Sequence, residues 1–166
     1  MTLHLINVLP NVWMSYISGV ASITQNDIST ISAKLKHFCE QKDIKKMIRL
    51  DKDLGYWNNI EKSYNQEIKK QMINDEIQML TTYYNTKINE IHSAYLSHTT
   101  TLIISSSKSL ELSIGLLAFF MKKYGAMTIP QAIQSINTKI CAPLQFSSNM
   151  NRLFQMSMSM SMSDNL

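Results

Sequence analysis

From Tyr56 to Ser97 neither glycine nor proline interrupts the chain, and apolar residues recur there at helical spacing. Trp57, Ile60, Tyr64 and Ile68 form one stripe; Ile77, Leu80, Tyr84, Ile88, Ile91 and Tyr95 form another. The second stripe has a mean step near 3.6, the period of a straight α-helix rather than the ~3.5 of a supercoiled one. Between Ile68 and Ile77 the stripe shifts through Met72 and Ile73, so the two halves of this helix face different neighbours. At ~1.5 Å per residue, about forty helical residues span about 60 Å, longer than a compact domain of this size.

The rest of the chain supports the same class. Only 4 Gly and 3 Pro occur in 166 residues, few for a fold built on many tight turns. Val12, Tyr16, Ile17, Val20, Ile28, Ile31, Leu35 and Phe38 recur at steps of three and four, which predicts a first helix from Pro10, restarting at an N-cap near Asp27 or Ser29. Ile44, Met47, Ile48 and Leu50 continue the pattern as far as the Asp53-Leu54-Gly55 break. A helix from about Thr100 to Tyr124 is apolar almost all round in its last turns, as a central helix would be. Lys122, Lys123 and Gly125 close it with cations at the negative end of the dipole and a residue suited to a left-handed cap. Thr128-Ile-Pro-Gln131 reads as a capping box that opens a shorter helix, stopped by Pro143. The expected fold is therefore all-α: an antiparallel bundle of roughly four to six helices with one long central helix and a flexible tail. The bundle occupies residues 1–143, and an apolar, Met/Ser-rich segment occupies 144–166.

Chemistry is sparse. The four glycines are isolated, so no phosphate-cradling loop forms, and GxSxG, HExxH and CxxC are all missing. His37-Phe-Cys39-Glu40 brings an imidazole, a thiol and a carboxylate together, but residues two apart on a helix point to different faces, a poor zinc arrangement. His92 and His98 flank a helix end, where a cation or polar cap is favoured. Met156, Met158, Met160 and Met162 could offer thioethers to Cu(I), although such a segment more commonly fills an apolar groove. Cys39 and Cys141 fit either one long-range disulfide or two free thiols. The expectation is a chain without catalytic residues, metal or cofactor.

Two surfaces suit macromolecular partners. Tyr56, Trp57, Tyr64, Tyr83 and Tyr84 on the long helix, with Phe146, Leu153 and Phe154 further on, are apolar and aromatic anchors of the kind interfaces use. Lys42, Lys45, Lys46 and Arg49 would cluster on one helical face, open to an anionic partner, with Lys34, Lys36 and Lys52 nearby. Net charge is +4, and Glu40, Asp43, Asp51 and Asp53 are interleaved with those cations. The functional expectation is a non-enzymatic protein–protein interaction or assembly protein that binds a partner or itself, such as a host-facing or secretion-system component or chaperone. The alternatives are a membrane-active protein that exposes residues 102–121, and a nucleic-acid or regulatory binder that uses the basic face. Residues 1–10 lack a basic n-region, so the expected location is the cytoplasm or outside the cell without a cleaved signal.

Overall fold

The computed structural model describes residues 2–18, 24–54, 66–105, 110–140 and 146–159. It corrects the all-α, helical-bundle expectation: the fold is α/β, built on a four-stranded mixed sheet. In chain order the elements are β1 (Thr2–Leu9), β2 (Val12–Ser18), α1 (Gln25–Gln41), β3 (Ile44–Arg49), α2 (Leu50–Asp53), α3 (Gln66–Leu96), β4 (Thr100–Ile104), α4 (Leu110–Gly125), α5 (Ile129–Asn137) and α6 (Ser148–Ser159). The strands lie in the order β1-β2-β4-β3. β1 and β2 are antiparallel, while β4 runs parallel to both of its neighbours.

The missed strands have physical explanations. Val12, Met14 and Tyr16 alternate and are buried, but a four-residue step belongs to the strand period as well as to the helix, so Val12 and Tyr16 fit both. The decisive sign was Pro10-Asn11. Pro holds φ near −65° and Asn11 adopts φ 62, signs that match the central residues of a type II turn between β1 and β2. In β3 the register shifts between Ile44 and Lys46. That extra residue throws Ile44 out of phase with Ile48 and produces the spacing of three and four that imitates a helix. In β4 the run Thr-Thr-Leu-Ile-Ile is rich in β-branched residues, the cue that separates a short strand from the start of a helix.

The helices were more legible. α1 begins at Thr24, whose Oγ1 accepts from the Asp27 amide while the Asp27 carboxylate accepts from the Thr24 amide. The cap thus lies three residues ahead of the expected restart at Asp27. α3 closes where expected, with His98 at φ 57 and the Thr99 amide donating to Ala94 O. The Thr128/Gln131 capping box opens α5, with Pro130 in its first turn. α6 extends through Met156 to Ser159, so part of the Met/Ser segment is ordered helix rather than tail, and Met150, Leu153 and Phe154 lie in the core.

The sheet has two unequal faces. On one, Val12, Met14, Tyr16, Ile48 and Ile103 join a core completed by α3, α4, α5 and α6. α4 is its centre, buried from Leu110 through Met121 except for the half-buried Glu111. Gly115 lets two neighbours approach: a Cβ there would meet Met150 Cε at 2.5 Å and Tyr84 Oη at 2.7 Å. On the other face lies α1, the one helix there among the described residues, with Ile31 and Phe38 buried, Trp13 edge-on to Phe38 at 5.0 Å and Leu102 buried.

Candidate functional site

α1 does not cover its whole face of the sheet. Its Ile31 and Phe38 are buried, Phe38 against Trp13 of β2, whereas the next stripe round the helix (Ser32, Leu35, Lys36, Cys39 and Glu40) borders an open groove of about 710 Å³. That stripe follows steps of three and four, so a single helix face lines the cleft. The turn before β3 supplies Asp43 and the sheet supplies Ile44, Met47, Arg49 and Ile104, so Lys36 and Arg49 on the lining are matched by Glu40 and Asp43. Met47 and Arg49 are two apart on β3 and so share the α1 face. Met47 is 48% exposed, a large apolar side chain left open in the floor of a groove.

Charge concentrates here. Between residues 34 and 49 stand Lys34, Lys36, Lys42, Lys45, Lys46 and Arg49 against Glu40 and Asp43, six cations minus two anions. This +4 equals the net charge of the whole chain, so the remainder is balanced. The expected single helical face is corrected, because residues 44–49 form a strand and its alternation splits the cluster. Lys46 turns to the core face and meets Glu90 at 4.0 Å. Lys45 lies 3.7 Å from Asp43, and Lys42 sits over the Trp13 ring at 5.5 Å. Lys36 and Arg49, both on the groove, pair with no carboxylate among the described residues. Cys39 is a free thiol whose pKa is raised, chiefly by burial, which makes it a poor nucleophile.

The groove ends at the carboxyl ends of the parallel strands, the position where open α/β sheets bind their ligands. β4 leaves the sheet at Ser105, whose amide and hydroxyl both donate to Ser15 O at 3.2 Å. The connection Ser106-Ser-Lys-Ser109 lies outside the described residues. Beyond it, the first turn of α4 carries Glu111, and the Glu111 carboxylate accepts the Ser147 amide at 2.8 Å. A helix N-terminus ordinarily attracts anions. Here a fixed carboxylate already offsets the positive end of the dipole and opposes a second negative group.

The aromatic candidates separate. Tyr84 is fully buried and its hydroxyl donates to Leu112 O at 2.6 Å; burial drives its pKa well up. Leu153 and Phe154 are also core residues, so none of these three is free to meet a partner. Phe146 packs edge-on against Phe154 and borders a second groove, of about 620 Å³, between α5 and α6. The Tyr83 hydroxyl donates to Asp53 at 2.8 Å, and Lys87 lies over its ring. Tyr56, Trp57 and Tyr64 lie outside the described residues, as does Cys141. His92 stacks on Tyr124 at 3.7 Å, and His37 is exposed. Among the described residues no three His, Cys, Asp or Glu side chains converge as metal ligands. The membrane expectation is corrected in its structural premise, since residues 102–121 comprise the end of a strand, a connection and part of α4. No described helix is long and apolar enough to cross a membrane.

Sequence reasoning missed Leu35, Met47 and Ile104 as site residues. Their juxtaposition needs β3 and β4 to be strands, and the available signal was the β-branched run in β4. Fold and groove together define a mixed α/β protein with one sheet face that its described residues cover incompletely. No family model matches the chain, and no curated protein matches it.

Proposed function

We propose that this protein is a non-enzymatic binding module for another protein and that the groove between α1 and β3 is its contact surface. The carrying observation is the exposed Met47 set beside Lys36 and Arg49, which pair with no carboxylate among the described residues, in the segment that holds the chain's net charge. Exposed apolar surface rimmed by polar groups marks interaction sites, and a segment of net positive charge steers an oppositely charged partner toward it.

The test is amine-reactive cross-linking with mass spectrometry in the native cells, comparing wild type with M47E/R49E. Lys36, Lys42 and Lys45 should cross-link to a partner protein in wild type, and those links should disappear in the double variant while its thermal unfolding is unchanged. Equal cross-linking by the two proteins, or no partner cross-link from this surface, would defeat the reading.

A further inference from the structure

The groove beside α1 is dipolar. Asp43 lies in the turn between α1 and β3 at φ 53, so Glu40 and Asp43 stand together where the helix ends and the strand begins. Arg49 closes β3 at the other end, up to about 20 Å away at ~3.3 Å per residue, with Ile104 as its neighbour on β4. On α1, Lys36 lies one turn before Glu40, toward the Arg49 end. Carboxylates therefore hold one end and cations the other, and an aliphatic floor of Leu35, Ile44, Met47 and Ile104 runs between them. Among the described residues Lys36, Glu40 and Arg49 form no ion pair, and Asp43 meets only Lys45, at 3.7 Å. Opposite charges thus share one groove without neutralising each other.

The width of the sheet decides the shape that fits. Four strands about 4.8 Å apart span about 14 Å between the outer strand axes, and one helix covers about 10 Å of that. α1 is the one helix on this face among the described residues, with Phe38 against Trp13 of β2, and Met47 of β3 stays 48% exposed. The uncovered strip has the width of a second helix, the element that covers the faces of α/β sheets. We propose that the groove seats an amphipathic helix of the partner protein, laid beside α1 with a basic residue at the Glu40 and Asp43 end, an acidic residue at the Lys36 and Arg49 end, and an aliphatic stripe between. The proposal rests on the protein-binding reading above and specifies its ligand. A span of about 20 Å corresponds to about thirteen helical residues at ~1.5 Å each. The two charges therefore stand three to four turns apart, and apolar residues at helical spacing cover Met47, Leu35 and Ile104.

The same residues argue against the other occupants. The register shift between Ile44 and Lys46, together with Lys45 and Lys46 themselves, protects the β3 edge from an added strand. A helix needs nothing from that edge, because its backbone groups pair internally. A nucleic acid would bring its phosphates against Glu40 and Asp43, and the described lining offers no aromatic ring for its bases. Two copies meeting groove to groove would set one concave surface on another and fill neither.

The experiment displays a helix-forming peptide of about fifteen residues on phage, randomises one face of it, and selects against the purified full chain. The enriched consensus is then synthesised with a fluorescein label and followed by anisotropy. Enrichment of an aliphatic stripe with a basic residue at one end and an acidic residue at the other is expected. Versions with Glu at both ends, or Lys at both ends, should bind about tenfold more weakly. R49E, with unchanged thermal unfolding, should weaken the parent peptide about tenfold and tighten the peptide with two basic ends. Proline at an outward position in the middle of the peptide should abolish binding, because it breaks the helix without touching the groove. The inference is overturned if no helix is enriched, if the single-sign peptides bind as well as the parent, or if R49E affects all of them alike. Undiminished binding of the proline peptide would overturn it in favour of an extended ligand. Displacement of the peptide by a uridine 12-mer would do so in favour of nucleic acid, and self-association of the chain that the peptide abolishes would do so in favour of a second copy. The two proposals fail separately. If cross-links are lost in M47E/R49E but no helix of this pattern binds, the helical ligand falls and protein binding stands. If cross-links persist in that variant, both fall.

Discussion

The two faces of the sheet divide the work of the molecule. The face under α3, α4, α5 and α6 is closed: Tyr84, Ile88, Ile91, Leu116, Leu117 and Phe119 have no exposed surface at all. It is so closely packed that it also encloses polar atoms with no partner among the described residues, Thr101 Oγ1, Ser113 Oγ and Asn137 Oδ1. The other face carries, among the described residues, one helix with Phe38 against Trp13, and leaves Met47 half exposed. A closed face carries stability because every deleted methylene leaves a void. An open face carries little stability and keeps apolar surface available, which is what a docking site needs. Function is therefore sought where packing is thinnest.

The largest expected effect tests that division directly. Phe119 touches Tyr84 and Phe154 inside the closed face, with ring centroids 5.7 Å away in both cases. Phe119→Ala should cost about 3–5 kcal/mol of unfolding free energy, because the surrounding helices cannot collapse into the cavity. Phe38→Ala removes the Trp13 contact on the open face, where α1 can settle and water can enter, and should cost about 2 kcal/mol. Urea unfolding of both variants measures the gap. Equal losses would show that α1 is as tightly integrated as α4 and would erase the distinction between the faces.

What the sequence disclosed follows the same line. α4, wrapped on all sides, announced itself as a central helix through Leu112–Met121, and Lys122 and Lys123 lie in its last turn as expected, but the left-handed residue that follows it is Ala126, at φ 55, and not Gly125. The Ile77–Ile91 stripe of α3 was read with the right period and is buried as a stripe. The sheet was hidden, because strands buried on both faces lose their alternation. In β2 Trp13 and Ser15 pack under α1 while Met14 and Tyr16 pack under the other helices, so no polar face marks the period. The site was hidden with it. Lys42, Lys45, Lys46 and Arg49 were recognised as a cluster, but assigning them to a helix put them all on one side, whereas the strand sends Lys46 to Glu90 and leaves Arg49 on the groove. Tyr84 and Phe154 were legible as large anchors; that the core itself is their partner could be seen only after the fold was known.

A smaller effect concerns α3, whose Glu76 has a buried Oε2 without a partner among the described residues. Burial pushes this carboxyl up from 4.5 to about 7. Between those values the folded chain keeps a proton that the unfolded chain has released, so stability falls as pH rises across that window. Glu76→Gln removes the charge at every pH. Its thermal unfolding should match wild type near pH 4 and exceed it near pH 8, by less than about 1 kcal/mol because the group is only partly buried and solvent screens it. Parallel pH profiles for the two proteins would mean that Glu76 ionises as an ordinary surface carboxylate and that the closed face encloses no charge there.

The smallest expected effect is also the most informative about the open face. Met47→Glu places a carboxylate on β3 at a position 48% exposed, in an open groove beside Arg49. A surface change of this kind shifts stability by no more than about 0.5 kcal/mol in either direction. The same substitution at Leu116, which has no exposed surface, would bury an unpaired charge and prevent folding. Calorimetry of Met47→Glu beside Phe38→Ala therefore reports whether the groove is open in solution. A near-zero change in Met47→Glu, together with the loss of its partner cross-links, locates binding and stability on opposite faces of one sheet. A loss as large as that of Phe38→Ala would mean that something covers Met47 in the free protein, and the open face would then be a second closed one.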